Sequence, residues 1–348
     1  MNLVINNSIL KKADSRILFS LGFLLCVLIA FLKESIFPEK YFFDSYTIQN
    51  LVNRPYKSEG DVAFTNTSNF FRYLHIDRYF FAPVLAIVSY FAVILFIFKN
   101  YKVNVISFLN FLLIIAYSAM AMVYMATYSK DLVLFIFVIV TFVLFEKKHL
   151  LIWTLFVILY ASFFRNYWFV TILMFWGIKY FVVKKPKILL LAIPSYYLLI
   201  SFIYNYIFGV PLTMIRYLTN IDRDADVAQT AIGIFVNGEN FILEALNFIV
   251  TLIFLIIPIP LLLIGKPFYI ILTLLITVFF FHFIKLYYKE SNNPTYTNIF
   301  SLVISFMLVQ SLYEPDYGSF VRHLAPLYPV IFVCIAKNTK IPENLKSS

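Results

Sequence analysis

Charge is scarce in this chain: only 13% of its 348 residues are Asp, Glu, Lys or Arg. Soluble domains carry about 25%, so a water-soluble globular protein is excluded. Glycine is scarce too, at 8 residues, and histidine is scarcer still, at 4. No phosphate-binding glycine-rich loop and no HExxH, GxSxG or CxxC pattern occurs. Nucleotide cradles and histidine metal sites are therefore not expected, and neither is a bound cofactor or metal. The two cysteines, Cys26 and Cys334, lie in apolar runs, so no disulfide or thiol chemistry is expected of them. No internal repeat is visible, which weighs against a transporter built from duplicated halves.

What the chain has in quantity is apolar sequence. It is 62% hydrophobic, with a mean hydropathy of +0.85. A membrane span takes roughly 20 mostly apolar residues, and in lipid every backbone polar group must be paired internally. Runs such as Leu132–Phe145, Ile249–Ile264 and Phe268–Phe281 are continuous and lack the alternation of a barrel strand. The expected fold is an all-α polytopic membrane protein, a single integral-membrane domain over 1–348 with about 10–11 transmembrane helices. Apolar stretches fall at 17–33, 79–98, 103–126, 132–145, 149–164, 167–183, 188–208, 241–264, 267–284, 296–313 and 324–336. Pro258, Pro260, Gly265 and Pro267 mark the place where a helix is expected to break or re-enter. The first run has basic residues ahead of it but no small-residue cleavage site after it, and reads as an uncleaved span.

The net charge of +10 reads as cytoplasmic-loop lysine, with no nucleic acid partner implied. Lys11, Lys12 and Arg16, then Lys99 and Lys102, Lys147 and Lys148, and Lys184, Lys185 and Lys187 fall at alternate turns. That places two larger loops, 33–78 and 209–240, and the short turns at 129–131 and 165–166 on the outer side. An even span count, with ten full crossings, would bring the C-terminal tail inside.

The candidate chemistry sits at span ends. Asp44, in Tyr41-Phe-Phe-Asp44-Ser-Tyr46, is either a partly desolvated general base or a helix cap. Arg165, in Phe-Phe-Arg165-Asn-Tyr167-Trp, has the planar fork that suits a diphosphate; the alternative is interfacial snorkelling. Arg322 and His323 close a polar cluster that begins at Glu314 and Asp316. They read either as a phosphate ligand with an acid–base group or as a polar turn between spans. Lys130 and Asp131 stand at a tight outward turn, as a substrate contact or as an ion pair and cap. Arg216 and Arg223 either bind phosphate or pair with Asp222 and Asp224. Tyr46 and Tyr167 neighbour these charges and are placed to face a sugar, within aromatic content that otherwise reads as lipid-facing bulk and interfacial belts. Val227, Ala231, Ile234 and Phe235 share one helical face behind Asp222, Asp224 and Asp226. They predict a short amphipathic helix on the outer surface, either packed on the bundle or closing over a lipid-linked substrate.

With these residues in place, the chain resembles the Wzy-type O-antigen and capsular polysaccharide polymerases. The carriers are Phe-Pro-Glu-Lys-Tyr-Phe-Phe-Asp44-Ser, Tyr128-Ser-Lys130-Asp131, Phe-Phe-Arg165-Asn-Tyr and Arg322-His323-Leu-Ala-Pro326-Leu-Tyr-Pro329. The family's pattern of arginine, ten residues and glycine is not met, because nine residues separate Arg223 from Gly233. The resemblance implies a GT-C-like glycosyltransferase, metal-independent, in a bacterial cytoplasmic (inner) membrane. It would lengthen undecaprenyl-diphosphate-linked oligosaccharide repeat units on the periplasmic face, for lipopolysaccharide or capsule, beside a flippase and a chain-length regulator. Arg165 and Arg322 would hold diphosphate, and Asp44 or His323 would activate the acceptor. Two other readings stay open: a GT-C enzyme using a polyprenyl-phosphate sugar, and a lipid-linked-oligosaccharide flippase.

Overall fold

The computed structural model describes residues 2–5, 8–9, 12–54, 62–76, 78, 80–101, 103, 105–146, 149–184, 186–221, 229–238, 240–289 and 292–337. Among them, seven segments are long and apolar enough to cross a membrane: Asp14–Ile36, Phe81–Asn100, Phe108–Met125, Leu189–Phe208, Pro267–Lys289, Pro294–Tyr313 and Tyr317–Ile335. Two shorter apolar helices, Leu150–Phe163 and Phe241–Ile256, accompany them. The chain is a helical multi-pass membrane protein. Each of the apolar stretches read from the sequence is helical over most of its length.

The chain forms two compact units, 1–166 with 322–348, and 167–321. The first contains α1 (Lys12–Ile36), α2 (Phe43–Asn53), α3 (Val62–Tyr73), α4 (Phe81–Asn100), α5 (Phe108–Met125), α6 (Lys130–Glu146) and α7 (Leu150–Phe163). Gly22 on α1 lets the helix approach Ile115 on α5, where an added Cβ would fall 2.5 Å from the Ile115 side chain. Phe19 packs edge-on against Phe111, with centroids 4.8 Å apart. Residues 19 and 22 thus face 111 and 115, so α1 and α5 run parallel. Phe23 meets Phe91 at 4.5 Å, and Arg16 shares a cavity wall with Phe98 and Lys99, so α4 runs antiparallel to both. The α6–α7 pair is pinned by the Trp153 indole, which donates to Thr141 Oγ1 at 2.9 Å. A small sheet, unforeseen in the all-α reading, joins β1 (Asn2–Ile5) to β2 (Ser8–Ile9) and β3 (Val105–Ser107), in the order β2-β1-β3.

The second unit contains α8 (Tyr167–Lys184), α9 (Leu189–Phe208), α10 (Thr213–Ile221), α11 (Phe241–Ile256), α12 (Ile259–Leu263), α13 (Pro267–Lys289) and α14 (Pro294–Tyr313). The expected break occurs between α11 and α13, at Pro258 and at Gly265, whose φ of +73° closes the five-residue α12. Asn293 caps α14, its side chain accepting from the Thr295 amide at 3.0 Å, and Pro294 follows at N1, where a missing N–H does no harm. The chain leaves this unit within α15 (Tyr317–Leu324), so Arg322 and His323 belong to the first unit with α16 (Tyr328–Lys337).

The amphipathic helix expected behind Asp222 is not found among the described residues. Residues 222–228, including Arg223, lie outside them, and 229–238 form a turn and an isolated bridge. Ala231 pairs with Asp316, and Ile232 N–H donates to Pro315 at 2.8 Å, which holds this stretch extended. The amphipathic helix lies earlier, as α10. Its apolar side, including Leu218 and Ile221 (each 55% exposed), is uncovered, while Arg216 is buried.

Candidate functional site

One end of the first unit gathers charge from four separate stretches. The C-termini of α1 and α5 and the N-terminus of α4 lie at this end, and Tyr128 beyond α5 ties it together by donating to the Arg78 carbonyl at 2.9 Å. Ser129 caps α6, accepting from Leu132 N–H at 3.1 Å. This puts Asp131 in the first turn, where the helix dipole favours a carboxylate.

Asp131 is the centre of the cluster. Arg165, in the turn after α7, places Nη2 2.9 Å from Asp131 Oδ1, and the two side chains are 8% and 2% exposed. Arg322, on α15, places Nε 3.8 Å from Asp131 Oδ2. Its Nη1 lies 2.9 Å from Oδ2 of Asp44, on α2. The result is an alternating chain, Asp44–Arg322–Asp131–Arg165, graded from an open carboxylate to a buried pair. Tyr41, Ser45, Tyr124 and Thr127 help to enclose a cavity of about 20 Å³ against these charges. That is room for about one water.

The structure changes the expected role of several residues. Asp44 is not a helix cap: α2 starts behind Phe42, and Asp44 sits in its first turn. Nor is it desolvated, since 45% of its side chain is exposed. Tyr46 turns from the cavity to donate to Glu34 at 3.2 Å; partial burial and the Glu34 carboxylate push its phenol up. Lys130 sets Nζ 3.9 Å from the Phe64 ring centroid, a cation–π contact. His323 follows Arg322 in the last turn of α15. Tyr167 stands in the second unit, at the start of α8, with its ring against Phe306.

Arg216, expected at phosphate, is 1% exposed in the second unit. Its Nη2 donates to the carbonyls of Ser311 and Leu312 and its Nη1 to Thr251 Oγ1 at 3.2 Å. The guanidinium thus closes the C-terminus of α14, whose last carbonyls lack helical partners. Burial pulls it down to about 10, with Glu314 opposing. Glu314 and Asp316 also serve the fold: Glu314 is buried at the end of α14, and Asp316 accepts from the Ser319 amide at 2.8 Å. Glu244, in the first turn of α11, accepts from the Thr213 amide at 2.9 Å and caps α10.

Tyr41, Ser45, Tyr124 and Thr127 were not singled out from the sequence. Ser129, a further lining residue inside Tyr-Ser-Lys-Asp, carries a local signal, a capping residue ahead of an apolar run. Among the described residues, no group of three or more His, Cys, Asp or Glu side chains stands close enough to hold a metal ion. The chain matches no family model, no curated protein and no solved structure.

Proposed function

We propose that the Asp44–Arg322–Asp131–Arg165 chain is the active site of a glycosyltransferase that lengthens undecaprenyl-diphosphate-linked oligosaccharides, a polysaccharide polymerase of the Wzy type. The observation that carries this reading is the convergence of two arginines and two carboxylates on one end of a membrane helix bundle. Arginine at membrane depth tends to mark a functional site, and its fork pairs with phosphate oxygens.

Charge balance orders the catalytic steps. At rest each guanidinium is matched by a carboxylate. An incoming diphosphate competes for Arg322 and Arg165, which stabilise it as a leaving group. Arg322 then releases Asp44, the more open of the two acids. The freed carboxylate takes the proton of the acceptor hydroxyl as its oxygen attacks the anomeric carbon of the donor chain. The bond from that carbon to the diphosphate oxygen breaks, and undecaprenyl diphosphate leaves. Asp131 positions both arginines. In this reading α6, α7 and α8 also cross while α11 and α12 re-enter, giving ten crossings in a GT-C-like arrangement that keeps Arg322 on the face of Asp44. The site faces the periplasm from a bacterial inner membrane, and a flippase and a chain-length regulator are the expected companions.

A GT-C enzyme using a polyprenyl-phosphate sugar is the second reading, favoured by one observation: Asp44 and Asp131 flank a single guanidinium. Loss of activity on chelation would favour it. Electrophoresis of surface polysaccharide from a strain lacking this protein tests the main reading. A single-repeat product that becomes a ladder on restoration supports a polymerase. Loss of even the single repeat opposes it.

A further inference from the structure

At the far end of the same three helices, α1, α4 and α5 line a half-open cavity of about 960 Å³. Established ligand sites run to roughly 300–1,000 Å³. Phe19, Phe23, Phe91 and Leu95 supply apolar wall, and the two charged lining residues are Arg16 and Lys99, both exposed. The helix directions fix the position of this cavity. Arg16 precedes the apolar run of α1, and Lys99 is in the last turn of α4. Asp44 follows the other end of α1, and Arg78 precedes the other end of α4. A helix of about 20 residues is ~30 Å long, the thickness of a bilayer's hydrocarbon core. The cavity's cations and the Asp44 cluster therefore stand at opposite membrane faces.

We propose that this cavity binds an anionic glycerophospholipid of the leaflet on the Arg16 side. An acyl chain lies among the phenylalanines, and the phosphate lies between Arg16 and Lys99. Three observations select this occupant. Among the described residues the walls are apolar, with Ser20 and Ser118 as the uncharged polar lining residues, so a soluble ligand would find little to orient it. The neighbouring face of α1 (Leu21, Leu24 and Leu25, about half exposed) is itself open to lipid. The cations sit where a headgroup would be, and the flanking sequence adds Lys11, Lys12 and Lys102 against the single acid Asp14. Basic pockets between helices on the cytoplasmic side are suited to anionic headgroups. The proposal does not depend on what the opposite face catalyses.

The test is native mass spectrometry of the full chain, purified in detergent and mixed with phosphatidylglycerol or phosphatidylcholine of identical acyl chains. Wild type should retain phosphatidylglycerol about tenfold better. Arg16→Gln with Lys99→Gln, at two exposed positions, should bring the ratio near one with the melting temperature unchanged in lipid-free detergent. Equal retention of the two lipids by wild type, or a preference that survives the double substitution, overturns the proposal. So does displacement of phosphatidylglycerol by equimolar undecaprenyl phosphate, which would make the cavity a carrier site.

Discussion

Asp44 and Arg322 come from opposite ends of the sequence and meet with Oδ2 and Nη1 2.9 Å apart. The same guanidinium reaches toward Asp131. An exposed acid is thus linked to a buried one through a single side chain, and replacing Arg322 affects both.

The Asp44–Arg322 pair is partly exposed, at 45% and 22%, so its contribution to stability should be small, about 0–1 kcal/mol. Its contribution to activity should be large. Asp44→Asn and Arg322→Ala should each lower chain lengthening by about 100-fold or more, with little change in melting temperature. The exchanged variant Asp44→Arg with Arg322→Asp sets a second carboxylate against buried Asp131, so it should lose stability and stay inactive. Recovery of activity on exchange would make the pair merely structural.

Arg165 and Asp131 behave differently because both are buried. Arg165→Ala leaves a carboxylate without its closest cation, and it should destabilise the protein by about 3–5 kcal/mol. Adding Asp131→Asn should recover much of that loss without restoring activity. Thermal unfolding in detergent reads the first effect and a lengthening assay the second.

Arg216→Met should lower stability by about 2–3 kcal/mol, because the Ser311 and Leu312 carbonyls lose a charged donor. Lengthening per folded molecule should stay within about twofold of wild type. A specific loss of lengthening at wild-type stability would return Arg216 to the substrate site.

Helix directions also predict topology. Cys26 and Cys334 are buried, so they give little background labelling. A cysteine at Phe43, now 58% exposed, should react with an impermeant maleimide from one side of the membrane. A cysteine at Lys99 should react only from the other. Labelling of both from one side would break the two-ended arrangement.

Much of this fold was legible because lipid leaves the backbone few options. Long apolar runs become helices, and Pro258 and Gly265 break one where expected. The site was legible only in parts. Asp44, Asp131, Arg165 and Arg322 stand out as charges at span ends, but their convergence depends on packing that no local pattern encodes. Arg216 misled for a physical reason. An arginine among apolar residues looks like a ligand-binding cation, whereas α10 turns its apolar side outward and buries Arg216 beneath α14's last carbonyls. Asp222, Asp224 and Asp226 suggest a helix start, but pairing of Ala231 and Ile232 with 315–316 holds that stretch extended. The strands β1 to β3 were too short to leave a periodic signal.

The most direct measurement uses purified protein in nanodiscs with an undecaprenyl-diphosphate-linked oligosaccharide, product lengths being read by mass spectrometry. Wild type should convert single repeats to multiples and release undecaprenyl diphosphate, while Asp44→Asn and Arg322→Ala fold normally but leave the substrate at one repeat. Multiples formed equally by the two variants, or no multiples from wild type supplied with the repeat unit of its own host, would contradict the account.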